Sequence, residues 1–66
     1  MAVRFAVGQV VRVHLALGIW HVGRVVEIKQ CLGGIVYGVR FLFRKLRMLS
    51  FCWFWGDDIH TYELGT

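Results

Sequence analysis

The sequence predicts an all-β domain, a small five-stranded antiparallel barrel with room for a short 3-10 turn before the last strand. Three observations predict this fold. Runs rich in Val, Ile, Phe, Tyr and Trp, which favour strands, are separated by the eight glycines of the chain. Helix-forming residues never persist for the roughly 10–12 positions that a helix requires. Five short strands in a flat sheet would leave open edges, and closure into a barrel removes them.

Five segments have the residue pattern of strands, and most of the connections between them contain glycine. In chain order they are Gln9–His14, His21–Lys29, Ile35–Phe43, Leu49–Trp55 and Thr61–Leu64. The Gly33–Gly34 pair predicts a tight hairpin between the second and third strands, because both glycines accept positive φ at little cost. Gly56–Asp58 predicts the turn that precedes the last strand.

Within these segments, alternation assigns side chains to the two faces of the sheet, because successive residues point to opposite sides. The residues predicted to face the core are Val11, Val13, Tyr37, Val39 and Phe41. Arg12 and Arg40 have the opposite parity and are predicted to lie outside the core. In the second strand Val25 and Ile28 break the parity, and a β-bulge next to Gly23 would restore it.

The fourth strand is the most unusual one, because both of its faces are apolar. Phe51, Trp53 and Trp55 share one face, and Ser50, Cys52 and Phe54 share the other. One face fills the core, and the other must be covered by a second copy of the chain, a protein ligand or stacked bases. The hydrophobic fraction is 58%, whereas a chain of this size buries only about 60% of its surface, so we expect a homo-oligomer.

The net charge of +4 divides unevenly along the chain. Residues 1–47 hold all eight Lys and Arg and one acidic residue, whereas residues 48–66 hold three acidic residues and no base. A basic body suits a polyanion, an acidic protein surface or head-to-tail self-association, and an ordinary solvated surface is the simpler alternative. The residues predicted to form a basic, nucleic-acid-binding face are Arg12, Arg24, Arg40, Arg44, Lys45 and Arg47.

Sequence signals for catalysis, metals and cofactors are weak. Cys31 and Cys52 form no Cys-x-x-Cys motif, and the three histidines have no metal-binding spacing, so we predict no metal and no cofactor. Both cysteines are expected to be small buried hydrophobic residues. Asp57 and Asp58 are adjacent, so they are expected to bond nearby backbone N–H groups in a turn rather than to share a proton. No catalytic residue is predicted, and an enzyme is the less favoured class.

The longest segment without a charged residue is Val13–Gly23, which is shorter than the roughly 18 residues of a membrane-spanning helix. The first residues show no signal-peptide pattern. We therefore expect a cytoplasmic, reduced protein with no membrane span.

A resemblance to a known group is carried by five stretches of the chain. They are Gly8–Val13, Trp20–Val25, Ile28, Tyr37–Phe41 and Asp57–Leu64. Their residue types are similar to those of the SH3-like small barrels, a group that includes Tudor and KOW modules. The last stretch resembles the short turn and final strand that close such barrels. The resemblance implies a single SH3-like domain over residues 1–66.

Three functions stay open at this point. The leading hypothesis is a non-catalytic, oligomeric module that binds nucleic acid through its basic outer face. The alternative is a protein- or peptide-binding module, whose aromatic groove or interface would contain Trp20, Tyr37, Phe51, Trp53 and Trp55. The third is a small enzyme assembled at the shared interface of an oligomer.

Overall fold

The computed structural model describes residues 3–16, 18–43 and 47–62, with Ala16 described by its backbone alone. It contains the strands β1 (Val10–Ala16), β2 (Ile19–Cys31), β3 (Gly34–Phe43), β4 (Met48–Trp55) and β5 (Ile59–Thr61), with the 3-10 turn η1 (Gly56–Asp58) before β5. All paired strands are antiparallel, in the order β4-β3-β2-β1-β5. The predicted all-β class, the five antiparallel strands and the 3-10 turn are confirmed.

The expected closure into a barrel is not seen, because the described strands form one open sheet that ends at β4 and at β5. The last strand is only three residues long, and the segment before β1 lies beside it. The Arg4 amide donates a hydrogen bond to the Tyr37 hydroxyl at 3.2 Å. The Phe5 ring meets the Tyr37 ring edge-on at 5.1 Å and lies near Ile59 of β5. Phe5 is therefore part of the buried core beside β5.

The last strand begins earlier than the sequence predicts, at Ile59 rather than at Thr61. Three residues suffice for the 3-10 turn, and Ile59 returns to extended geometry at φ −120° and ψ 134°. Ile59 then pairs with Val13 of β1 and is only 3% exposed. The remainder of the predicted strand, Glu63 and Leu64, lies outside the described residues.

β2 does contain a β-bulge, but its predicted position beside Gly23 is wrong. The register with β3 shifts between Val25 and Glu27, so Val26 is the extra residue of the bulge. Gly23 stays in regular pairing, and a Cβ there would lie 2.7 Å from the Arg40 carbonyl oxygen. That glycine allows two backbones to approach closely, which is the other common reason for a glycine within a strand.

The hairpin between β2 and β3 is confirmed. Cys31 pairs with Gly34, so Leu32 and Gly33 form the two-residue connection. Only the second of the two glycines, Gly34, has positive φ, at 131°. Leu32 is fully exposed at the tip of this hairpin.

The core lies on one face of the sheet and is built around valine. Val11, Val13, Val25 and Val39 are each 0% exposed, and all come from β1, β2 or β3. The other buried core residues are Phe5, Tyr37, Phe41, Phe54 and Ile59. Every residue predicted to face the core does so. The opposite, outer face of the sheet is therefore the surface on which arginines and aromatic rings are displayed.

The two cysteines contradict the prediction of burial, since both are free and exposed. Cys31 is the last residue of β2, next to the hairpin turn. Cys52 pairs with Val39 on the core side of β4, yet β4 is the edge strand, so no further strand of the described sheet covers it. Residue type alone therefore misplaced both thiols, because Cys31 lies beside the hairpin turn and Cys52 lies on the edge strand.

Candidate functional site

The outer face carries one row of side chains that crosses four strands, named here the central row. Val10 pairs with Arg24, Arg24 pairs with Arg40, and Arg40 pairs with Phe51. Neighbouring strands lie about 4.8 Å apart, and directly opposite residues point to the same face. The fold therefore places two arginine side chains side by side, with an aromatic ring next to them.

The arginine pair of the central row has no acidic partner among the described residues. The single ion pair among the described residues joins Arg4 to Asp57 at 4.0 Å. Arg24 instead donates a long hydrogen bond of 3.4 Å from Nη1 to the exposed Gly8 carbonyl. Like charges directly opposite each other destabilise a sheet, and an anion shared between two guanidinium groups relieves that repulsion. Arg24 and Arg40 thus offer unused donors for a phosphate or a carboxylate.

Two aromatic rings of β4 lie over the neighbouring strand at a glycine. Phe51 and Trp53 meet edge to face, with centroids 5.4 Å apart and planes at 84°. Trp53 pairs with Gly38, and a Cβ at Gly38 would lie 2.6 Å from Cζ of Phe51 and 3.2 Å from Cζ3 of Trp53. Both rings remain 42–43% exposed. The missing side chain of Gly38 therefore allows both rings to lean across β3 while leaving ring surface open to solvent.

Gly38 is a position of the candidate site that sequence reasoning missed. Its signal was present, because an isolated glycine in the middle of a strand often marks close approach by another group. The approaching group could not be named before the register between β3 and β4 was known, since that register sets Gly38 beneath Phe51 and Trp53.

The aromatic surface continues along the same face toward the β2–β3 hairpin, where the exposed Glu27, which pairs with Gly38, lies between Arg24 and Lys29 on β2. Lys29 pairs with Val36, and Val36 pairs with Trp55. A cavity of about 330 Å³ lies there, lined by Lys29, Cys31, Val36, Trp53 and Trp55. Trp55 is 48% exposed. We call Arg24, Arg40, Phe51, Trp53, Trp55 and Lys29 the arginine–aromatic surface.

Arg12 is exposed on the outer face, as predicted, but it lies in a different cluster. It pairs with Val22, whereas Arg24 pairs with Val10, so the two arginines are offset by two residues along the strands. The Arg12 guanidinium lies over the Trp20 ring, 5.2 Å from the centroid. Trp20 also stacks on His14 at 4.7 Å and meets His60 edge-on at 4.9 Å. Three predicted arginines therefore form one pair and one separate cluster.

The remaining predicted basic residues follow β3. Arg47 is exposed, with a positive φ of 51°, immediately before β4. Arg44 and Lys45 lie outside the described residues.

The predicted aromatic groove is assembled only in part. Phe51, Trp53 and Trp55 share the outer face of β4. Trp20 belongs to the separate cluster with Arg12, and Tyr37 faces the core with 2% exposure. Tyr37 instead lines a cavity of about 300 Å³ beneath Trp55, together with Arg4 and the β2–β3 hairpin. The parity of β3, which places Tyr37 with the core valines, excludes it from the outer face.

The acidic turn does not make the expected contacts to backbone. In η1, no side-chain cap hydrogen bond forms, and Asp57 and Asp58 are exposed. Over the ranges that the structure covers, no three His, Cys, Asp or Glu side chains lie together as metal ligands would. No helix in those ranges has the length and apolar character needed to cross a membrane.

Comparison with known proteins returned no match: no protein-family model, no curated protein and no solved structure corresponds to this chain.

Proposed function

We propose that the protein is a non-catalytic binding module that holds single-stranded nucleic acid on the outer face of its sheet. One observation carries the proposal: the Arg24–Arg40 pair has no acidic partner among the described residues and lies directly beside the half-exposed Phe51 ring. Guanidinium groups bind phosphate, and aromatic rings stack with bases, which together form the usual platform for single strands.

The surface suits single strands of mixed sequence. Each base that stacks on an aromatic ring contributes about 1–3 kcal/mol, and every base has a face that can stack. The described chain has no helix that could read the major groove of a duplex. Preference for one sequence is therefore expected to be weak, and phosphate contacts make affinity fall as salt concentration rises.

The test is a fluorescence anisotropy titration with a labelled single-stranded oligonucleotide at two salt concentrations. Arg40→Ala removes one positive charge from the central row. Arg4→Ala is the matched control, because it also removes one positive charge, but from a position beside η1. We expect Arg40→Ala to weaken binding about tenfold, which corresponds to ~1.4 kcal/mol, and Arg4→Ala to weaken it much less. Equal losses, or no binding by the unaltered protein at micromolar concentration in low salt, would contradict the proposal.

A second candidate is a protein or peptide partner, favoured by the apolar outer side of β4. Leu49 is 72% exposed there, and Trp55 is 48% exposed above the cavity it shares with Lys29. Binding of an apolar peptide would persist as the salt concentration rises, whereas nucleic-acid binding weakens steeply. Repeating the titration at two salt concentrations with a peptide library therefore distinguishes the two candidate functions.

The proposal extends to a single SH3-like domain that acts in the cytoplasm as a homo-oligomer. The first four strands form a meander, and the fifth returns after a 3-10 turn to pair with β1. The SH3-like part of the proposal rests on the residue types of the five stretches named in the sequence analysis. The exposed rings of β4 support self-association.

A further inference from the structure

The edge strand β4 has none of the usual features that block pairing with another strand. Its eight residues, Met48–Trp55, include no charged residue and no proline. Its pairing with β3 runs from Val36–Trp55 to Phe43–Met48 without a bulge, whereas β1–β2 and β2–β3 each contain a register shift. Natural sheets protect such edges with short strands, charges, prolines or bulges. Among the described residues, β4 is therefore an edge strand without a bulge, and the backbone N–H and C=O groups on its outer edge are unpaired.

Both sides of β4 also leave apolar surface exposed. On the outer side Leu49 is 72% exposed, and on the core side Met48 is 55% exposed and Cys52 is exposed. The chain exposes 5043 Å², about 700 Å² more than the ~4,300 Å² typical of a monomer of 7.7 kDa. A standard protein–protein interface buries about 800 Å² on each partner. That surplus belongs to the whole chain, and the exposed apolar side chains of β4 are part of it.

We infer that a second copy of this chain pairs antiparallel with β4 and extends the sheet across a two-fold axis. This inference deepens the proposed homo-oligomer and does not depend on nucleic-acid binding. A second copy fits because an uncharged strand can oppose itself without placing like charges together, and a two-fold contact uses the same strand on both sides.

Parity restricts the register of that pairing. Directly opposite residues must point to the same face, so an odd-numbered residue opposes an odd-numbered one. The register that places Cys52 opposite Cys52 of the second copy also places Phe51 opposite Trp53 and Leu49 opposite Trp55. On the outer side it forms aromatic and apolar pairs, on the core side it places Ser50 opposite Phe54, and it keeps Arg47 beyond the paired region. We assign this register to the dimer.

Such a dimer leaves the proposed binding surface open. The second strand joins β4 at its edge, in the plane of the sheet, so the outward faces of Phe51 and Trp53 stay accessible. Both copies present their outer faces on the same side, because opposite residues share a face. The two Arg24–Arg40 pairs then flank a central aromatic region on one continuous sheet.

Disulfide trapping tests the register. Opposite residues of antiparallel strands have Cα atoms about 4.5–5.5 Å apart, within the range of about 4.4–6.8 Å that a disulfide spans. Diamide accepts two electrons and two protons from two Cys52 thiols, which join as a disulfide while diamide becomes a hydrazine. We expect Cys31→Ser, which retains Cys52, to form a covalent dimer rapidly. The control Cys52→Ser, which retains the equally free Cys31, should stay unlinked. Equal crosslinking of the two variants would overturn the assigned register.

Light scattering without nucleic acid tests the dimer itself. We expect the unaltered protein and Cys31→Lys to have about twice the mass of the 7.7 kDa chain, and Cys52→Lys to have the mass of one chain. Both substitutions add one charge at an exposed cysteine, and only Cys52 lies on the β4 edge. A monomeric unaltered protein, or a dimer that survives Cys52→Lys, would overturn the inference. The oligonucleotide titration is a separate measurement, so failure of one proposal leaves the other intact.

Discussion

The two edges of the sheet differ in length and in what lies beside them. The β4 edge has eight residues without a charge, and its outer-face rings Phe51, Trp53 and Trp55 are half exposed. The β5 edge has three residues, and it follows a turn that carries Asp57 and Asp58. Arg4 and Phe5 lie beside β5 as well, and Arg4 forms an ion pair with Asp57. The β5 edge is thus short and covered, whereas the β4 edge is long and unpaired.

This difference teaches how a small sheet can associate without forming fibres. A sheet with two open edges can add copies at both ends, whereas a sheet with one open edge stops after a single pairing. The short β5 edge therefore limits assembly, and the β4 edge directs it. Four substitutions test this contrast, from the largest expected effect to the smallest.

The largest effect is expected for Phe54→Ala, because Phe54 is the one buried side chain of β4. It is 7% exposed, and its ring meets the Phe41 ring at 6.2 Å. We expect a loss of about 3–5 kcal/mol in the free energy of unfolding, measured by urea denaturation in the Cys52→Lys background to remove association. Phe51→Ala is the matched control, since Phe51 is 42% exposed on the same strand. Similar losses for both would mean that β4 is not held by its core side.

A smaller loss is expected for Ile59→Ala in β5. Ile59 is 3% exposed and pairs with Val13, so its truncation leaves a cavity under the short edge. The expected loss is about 2 kcal/mol, the low end for such truncations, because a three-residue edge strand can collapse into the space. Thr61→Ala, in the same strand but exposed, should change the urea midpoint little. If Thr61→Ala were as costly, the docking of β5 would not depend on its buried side chain.

The third substitution, Gly38→Ala, tests the surface next to the open edge. A Cβ at 2.6 Å from Cζ of Phe51 forces that ring to move, at a cost of about 1–3 kcal/mol, partly offset by the better strand propensity of alanine. We expect altered tryptophan fluorescence and weaker oligonucleotide binding. Unchanged emission together with unchanged binding would show that the two rings do not rest over Gly38.

The smallest effect is expected for Asp57→Asn beside β5. The Arg4–Asp57 pair spans 4.0 Å, and its side chains are 60% and 102% exposed, so water and salt screen it. We expect the urea midpoint to stay within experimental error at low and at high salt. A clear salt-dependent loss would show that charge, in addition to shortness, protects the β5 edge.

Most of the core could be predicted from alternation alone. Val11, Val13 and Val39 fall on one parity of their strands, and a strand that is half buried must place one parity inside. The bulge in β2 could be inferred but not located, because one extra residue anywhere between Val25 and Ile28 restores the same parity. The local sequence pattern determines which face of the sheet a side chain occupies, whereas the exact position of a bulge depends on pairing with the neighbouring strand.

The candidate site was less predictable because it depends on strand order. The sequence places Arg40 outside the core, but only the register shows that Arg24 is its direct neighbour and that Arg12 is offset. The predicted burial of Cys52 was wrong for the same reason, since its exposure follows from the edge position of β4. Side-chain parity is a local property, whereas neighbours across a sheet are set by the whole fold.

The pairing of β1 with β5 has a consequence for the order in which the chain folds and opens. Val11 lies opposite Thr61, whereas the other strand pairs of the described sheet join neighbours in the chain. If β5 paired with β1 before the other strands formed, it would close a flexible loop of about 50 residues at a cost of roughly 3.5 kcal/mol of chain entropy, which three residue pairs alone would have to offset. We expect β5 to dock last and to release first, so its amides should exchange with deuterium sooner than those of β2 and β3. The central arginine pair spans β2 and β3. The binding surface would therefore outlast the strand that completes the fold, and the molecule would stay competent through its fastest local openings.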